Sequence, residues 1–217
     1  DLSAEAMIRA VGEESAALHT MGEALADSNR PFVTVSGTPG APGRASTESD
    51  RPAAVGPLGG RSRSIDGVLA LASRGVRSSA VRMPRTVHNE GKGGFAGLLT
   101  NIARKSGVSG YPGDGQQRWP AVHALDAAVL FRLALESAPA GTAWHAVDDE
   151  GDKVVDIATV IGRRLGLPVK AMPQDHFGAL GAIFAVDQPS SSAHTRETLG
   201  WKPTHAKLLS DLENIQP

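Results

Sequence analysis

Val76-Arg-Ser-Ser-Ala-Val-Arg-Met-Pro84 and, further on, Arg118-Trp-Pro-Ala-Val-His-Ala-Leu-Asp126 are the stretches on which the fold turns. The first reads as a buried strand stopped by a proline, whose ring fixes φ and whose nitrogen has no proton to give a sheet. The second reads as a short strand that delivers His123, with a helix from about Asp126. Between them come a glycine-rich loop (His88 to Gly97), a helix and a turn (Tyr111 to Gly115). Polar groups just past strand ends, facing a helix start, are the usual makings of a small-molecule site.

Outward from these stretches, strands alternate with helices. Ser3 is a fair N-cap for a helix through about Ala26, with Leu2, Met7, Ile8, Val11, Leu18, Met21 and Leu25 near helical spacing. Phe32–Ser36 is a β-branched run suited to a buried strand, and Gly37 to Gly60 a long loop. Arg61 to Arg74 reads as a helix ended by Gly75. Later helices are expected over Gly97 to Lys105, Asp126 to Glu136, Asp152 to Leu165, Pro173 to Val186, Ser190 to Leu199 and Thr204 to Ile215. Thr142–Val147 and Pro168–Met172 read as strands, and Asp148-Asp-Glu150 as a solvated turn. The alternation argues an α/β fold with a parallel sheet.

The totals narrow the function. The 217 residues suffice for one domain with a real core, or one domain and a small lobe. A net charge of -1 gives no electrostatic case for nucleic acid or an anionic membrane. No apolar run approaches the ~20 residues a membrane helix needs. The chain has no cysteine, which removes disulfides and thiolate metal sites and fits a reducing, cytoplasmic setting. Its seven histidines are scattered, with no His-x-x-x-His pair, so no metal site is expected.

Four further segments carry a resemblance. They are Phe32-Val-Thr-Val-Ser-Gly-Thr38; Val81-Arg-Met-Pro84 followed by Val87-His88; Gly113-Asp-Gly115 followed by Val122-His-Ala-Leu-Asp126; and Leu199-Gly-Trp-Lys-Pro203. In order and spacing they resemble the C-terminal two thirds of an atypical extended short-chain dehydrogenase/reductase, of the NAD-dependent epimerase/dehydratase family. The resemblance implies the C-terminal part of a doubly wound, Rossmann-like parallel sheet with a small substrate-side lobe. Residues 1–86 would be the Rossmann-like portion, and residues 87–217 the substrate side mixed with the last strands. It implies NAD or NADP as cofactor and a small carbonyl, alcohol or sugar-type substrate. The match begins at the family's fourth helix. The opening strands, the Gly-x-x-Gly-x-x-Gly turn and the ribose-binding acid therefore have no counterpart, and a preceding dinucleotide-binding half is expected in the intact protein. Gly91-Lys-Gly-Gly-Phe-Ala-Gly97 fits the glycine spacing, but reads better as a mobile substrate-side loop because no strand runs directly into it.

The family's Tyr-x-x-x-Lys pair is also missing: the matching places hold Arg61 and Ile65, with Ser64 at the family's serine. An arginine stays protonated at neutral pH and cannot cycle as a general acid. Ser36 and Thr38 are the candidate catalytic hydroxyls, just past a strand, able to orient a substrate oxygen; turn chemistry around Gly37 is the plainer alternative. The resemblance sets Gly37 and Pro84 beside the cofactor and Arg61, His88, Phe95, Arg118 and Trp119 beside the substrate. Arg118 stands one place from the family's phosphate-binding arginine, where Trp119 falls instead. His123 reads as a structural histidine, with Asp126 capping the next helix. An exposed edge on the Phe32–Ser36 strand predicts pairing with a further segment or a homodimer. A non-redox ligand-binding protein on the same scaffold, or an inactive fragment, is the competing reading.

Overall fold

A computed structural model describes residues 4–53 and 59–216. Leu2, the expected Ser3 cap and positions 54–58 of the long loop lie outside the described residues. The chain runs α1 (Ala4–Leu25), β1 (Pro31–Gly37), α2 (Gly59–Ala70), β2 (Arg77–Met83), β3 (Thr86–His88), α3 (Gly94–Ser106), β4 (Ser109–Pro112), β5 (Arg118–His123) and α4 (Ala124–Ser137). It continues with β6 (Thr142–His145), β7 (Asp149–Lys153), α5 (Val154–Leu165), β8 (Val169–Met172), α6 (Gly181–Phe184), α7 (Ala193–Leu199) and α8 (Leu208–Asp211). Glycines in the left-handed region close α3 and α5, Gly107 at φ 72° and Gly166 at φ 66°, conformations that a side chain would strain.

The described strands form three small sheets. β1, β2 and β6 lie side by side, all parallel, with Gly37 opposite Met83 and Arg82 opposite His145. β5 pairs parallel with β3 and antiparallel with β7, and β4 pairs parallel with β8. Alternation along β1 and β2 assigns their two faces. Phe32 and Ala80 join Leu18, Ile65 and Val68 under α1 and α2, while Val33 and Val81 join Val122, Leu130, Trp144 and Trp201 on the α4 side. A third cluster gathers Leu99, Trp119, Ile157, Ile161, Phe177, Phe184 and Leu208 beneath the lobe. The fold is thus α/β, with helices wound on both faces of the parallel β1–β2–β6 sheet. Among the described residues no helix is long and apolar enough to cross a membrane.

Several expectations need correction. Asp148-Asp-Glu150 is not a solvated turn. Asp149 opens β7 and is buried, its carboxylate accepting the Leu208 N–H (2.9 Å) and the Lys207 ammonium (3.2 Å), while Asp148 pairs with Arg196. The expected helix from Pro173 to Val186 is a 3₁₀ stretch, Gln174–Leu180, broken by Gly178 at φ 58°, ψ -140°, before the single turn of α6. Thr204 to Lys207 is irregular, with a bend at His205, and α8 begins only at Leu208. Asp126 does not cap α4. His123 does, accepting the Leu125 N–H, while Asp126 accepts the N–H groups of Thr204 and His205, each at 3.0 Å. Ile8 and Met21, two of the apolar positions at helical spacing on α1, are 59% and 45% exposed.

The Gly91–Gly97 segment is also not one loop. β3 leads into a tight turn with Asn89 bridged to Lys92, and α3 starts at Gly94. A Cβ on Gly91 would stand 2.8 Å from the Ile215 nitrogen, and one on Gly94 2.5 Å from the Thr86 Cα. These glycines serve close backbone approach, and the chain's own Asn214–Ile215 fills the space beside Gly91.

Candidate functional site

β1 and β2 end together, so the next residues on each, Thr38 and Pro84, lie side by side at adjacent carboxyl ends. Open α/β sheets place ligands outside such ends. The Thr38 N–H donates to the Met83 carbonyl at 3.0 Å, extending the ladder one step. The Thr38 side chain is left over: its Oγ1 is buried and has no hydrogen-bond partner among the described residues. A buried hydroxyl without a partner costs about 1–3 kcal/mol, so its retention asks for a reason. Gly37 is exposed beside it, with nothing within 4 Å of where a Cβ would stand.

A strap formed by α6 and the residues after it crosses these ends. Gln188 donates through Nε2 to the Thr38 carbonyl (2.5 Å) and accepts at Oε1 from Arg85 Nη2 (2.5 Å). Its backbone N–H donates to the Arg118 carbonyl at 3.0 Å. Arg85 also donates to the Ile183 carbonyl, and its guanidinium stands 5.3 Å from the centre of the Phe95 ring. Burial pushes Arg85 down to about 10, which still leaves it charged at neutral pH. Phe95 meets Trp119 at 5.5 Å and Phe184 at 5.2 Å, and Trp119 meets Phe184 at 5.1 Å, closing an aromatic cluster in which Trp119 is fully buried. Arg118 forks onto Asp187, Nε to Oδ1 at 3.1 Å and Nη2 to Oδ2 at 2.8 Å, and holds that carboxyl below its usual range.

The structure therefore gathers Thr38, Gly37, Pro84, Phe95, Arg118 and Trp119 around one strap. Ser36 sits one rung back on β1, buried, opposite Arg82. Arg82 spends Nη1 on the carbonyls of Glu48 (3.0 Å) and Asp50 (2.8 Å), which anchors the long loop after β1. Arg61 is held elsewhere, with Nε on Glu14 of α1 at 2.9 Å and Nη2 on the Val35 carbonyl at 3.4 Å. Ile65, in the place of the family lysine, is buried under α1. His88 is 1% exposed and bonded through Nδ1 to Asp211. His123 meets Asn89 through Nε2 and stacks on His205 at 4.6 Å; burial, with His88 and His205 nearby, lowers its pKa.

Arg85, Asp187, Gln188 and Asp211 were missed. Arg85 followed the recognised Pro84 and was within reach. The other three are ordinary polar residues in segments of no recognisable motif, far along the chain from what they hold. Among the described residues no group of three or more His, Cys, Asp or Glu is placed to hold a metal ion.

This arrangement is the fold of the NAD-dependent epimerases and dehydratases. The chain shares it, with a TM-score of 0.75 at 16% identity, with the UDP-glucose 4-epimerase of Thermotoga maritima, solved with UDP-glucose; the match covers 99% of this chain and 72% of that one. MoeE5, solved with UDP-glucose and NAD, aligns at a TM-score of 0.71 and 20% identity over 92% of this chain and 68% of its own. In sequence the chain is 42% identical over 204 residues to the uncharacterized protein C2A9.02 of Schizosaccharomyces pombe, covering 90% of this chain and 68% of that protein. It is 40% identical over 199 residues to the uncharacterized protein YLL056C of Saccharomyces cerevisiae, covering 88% and 66%. The chain belongs to the family of these two yeast proteins and spans about two thirds of their length. No family model matches it.

Proposed function

We propose that the protein is an NAD(P)-dependent oxidoreductase or epimerase/dehydratase acting on a small carbonyl, alcohol or sugar-type substrate. The observation that carries this is the buried, unpartnered Thr38 hydroxyl at the carboxyl ends of two adjacent parallel strands. The cofactor supplies a hydride acceptor or donor, and Gly37 and Pro84 line the edge it would approach. Thr38 Oγ1 donates to, or accepts from, the substrate oxygen and orients it. Residues 1–86 carry this edge, and residues 87–217 carry the aromatic and charged side that meets substrate. NAD and UDP-glucose in the related structures support the reading.

The protein is tested by titrating NADH and NADPH into the full-length chain while following nicotinamide fluorescence, then screening carbonyl substrates. Binding with turnover that Thr38→Val lowers about 10²-fold supports the reading. A second reading rests on one observation: Arg61 is tied to Glu14 and Ile65 is buried where the family's proton relay would stand. A non-redox ligand-binding protein then follows, and dinucleotide binding without turnover of any carbonyl would favour it.

A homodimer belongs to the same proposal, in the cytoplasm. Among the described strands β1 pairs on one side only, and α1 and α2 frame an open cavity of about 750 Å³. Gly12 and Gly67 line it with nothing within 4 Å of their Cβ positions, although a mid-helix glycine costs about 1 kcal/mol. A helix of a second copy uses that room. Light scattering that gives a monomer at 50 µM, well above the ~µM range of weak dimers, removes this part.

A further inference from the structure

We infer that Gln188 is a positioning residue: it holds the Thr38 peptide, and with it the Thr38 hydroxyl, against the end of β2 and the start of β5. This rests on the reading of Thr38 as the working hydroxyl. Gln188 touches three segments at once, the Thr38 carbonyl past β1, Arg85 past β2 and the Arg118 carbonyl at the start of β5. Its amide orientation is fixed by chemistry. A guanidinium only donates and a carbonyl only accepts, so Oε1 must face Arg85 and Nε2 must face Thr38. A flipped amide would oppose donor to donor and acceptor to acceptor. Glutamate keeps the arginine bond and sets an oxygen against the Thr38 carbonyl; methionine keeps neither bond. The neighbouring Asp187 fixes the same strap from the other side through its fork with Arg118. The Thr38 peptide is thus gripped through its N–H by Met83 and through its carbonyl by Gln188, while its hydroxyl is left unbonded for a ligand.

The test uses the full-length protein with ¹³C-methyl threonine, the Thr38 resonance being assigned by its loss in Thr38→Val. Gln188→Glu is expected to move the Thr38 methyl resonance while keeping the melting temperature within about 2 °C, because the bond to Arg85 survives and a shift of that size is under ~1 kcal/mol. With NADPH and a series of small aldehydes and ketones as probes, Gln188→Glu is expected to lower kcat about 10-fold or more with KM changed less than about twofold, since a misplaced reacting group costs rate rather than ground-state binding. Gln188→Met should lower both kcat and the melting temperature. An unmoved Thr38 resonance in Gln188→Glu overturns the proposal, as does a loss that falls on KM alone. If the wild type turns over no carbonyl, the functional reading fails, and the Thr38 resonance still decides what Gln188 holds.

Discussion

His88 Nδ1 lies 2.9 Å from Asp211 Oδ2, a pair 123 residues apart in the chain, with the two side chains only 1% and 5% exposed. The Asp211 carboxylate also accepts the N–H groups of Glu90 (3.1 Å) and Gly91 (3.0 Å); burial raises its pKa, but the bonds from Gly91 and His88 outweigh that and hold it below the usual carboxylate range. Asn214 Nδ2 adds a longer bond at 3.4 Å, and removing the carboxylate strands all four donors. Asp211→Ala should therefore cost about 1–3 kcal/mol or more in urea unfolding, the penalty for leaving buried donors without an acceptor. A cost below ~1 kcal/mol would show that water replaces the carboxylate there.

His145 predicts the shape of acid unfolding. Its Nδ1 faces the Ser191 carbonyl at 2.8 Å, so that nitrogen carries the proton, and Nε2 faces Arg82. Burial pushes its pKa from 6.5 to about 4, with the Arg82 cation adding and Glu48 and Asp50 opposing. A depressed histidine favours the fold above 6.5, and that advantage is lost as the pH falls toward 4. His145→Asn keeps a donor for Ser191. Between pH 6.5 and 4 its stability should fall with a slope shallower by about one proton. An unchanged slope would mean that His145 titrates no differently when folded.

Asp152 works in the opposite direction. Burial, with Asp149 adding, raises its carboxyl to about 6, and Oδ2 has no partner among the described residues. A raised carboxyl burdens the fold once it ionises, so the cost is absent below 3.8 and complete above about 6. Asp152→Asn is expected to raise the melting temperature by a few degrees at pH 8 and to lose that gain by pH 4. A gain independent of pH would trace to packing instead.

The Arg118–Asp187 fork is half-exposed, 41% and 42% for the two side chains. Exposed pairs contribute about 0–1 kcal/mol, so Arg118→Ala should leave stability within ~1 kcal/mol in thermal melts. A larger loss would show that the fork, more than Gln188, secures the strap.

The long regular elements were legible in the sequence. β1, β2, β5, β6 and α2 to α5 fall within a few residues of where apolar periodicity, prolines and closing glycines set them. The three missed strands share a cause. β3 has three residues, β4 is Ser-Gly-Tyr-Pro, and β7 is Asp-Glu-Gly-Asp-Lys, so none carries an apolar alternation to read. Their places are set by partners far along the chain. The C-terminal lobe misled for the same reason: Thr204 to Lys207 looks helical on its own, but the N–H groups of Thr204 and His205 are taken by Asp126. In the candidate site, the placement of Thr38 and Pro84 at strand ends was legible because motifs mark such ends. Gln188 was not, because a lone glutamine has no pattern until its three partners are known.

The parallel arrangement of β1, β2 and β6 has a consequence in time. Pro31–Gly37 meets Arg77–Met83, and Ser79–Arg82 meets Thr142–His145, so every rung joins residues distant in the chain. Long loops must close before such rungs repay their entropy, whereas α4 and α5 form on local bonds. Topology therefore predicts that the corner holding Thr38 and Pro84 is assembled after α4 and α5. A variant slow to close those loops would show its helical circular-dichroism signal before the Thr38 hydroxyl reaches its place.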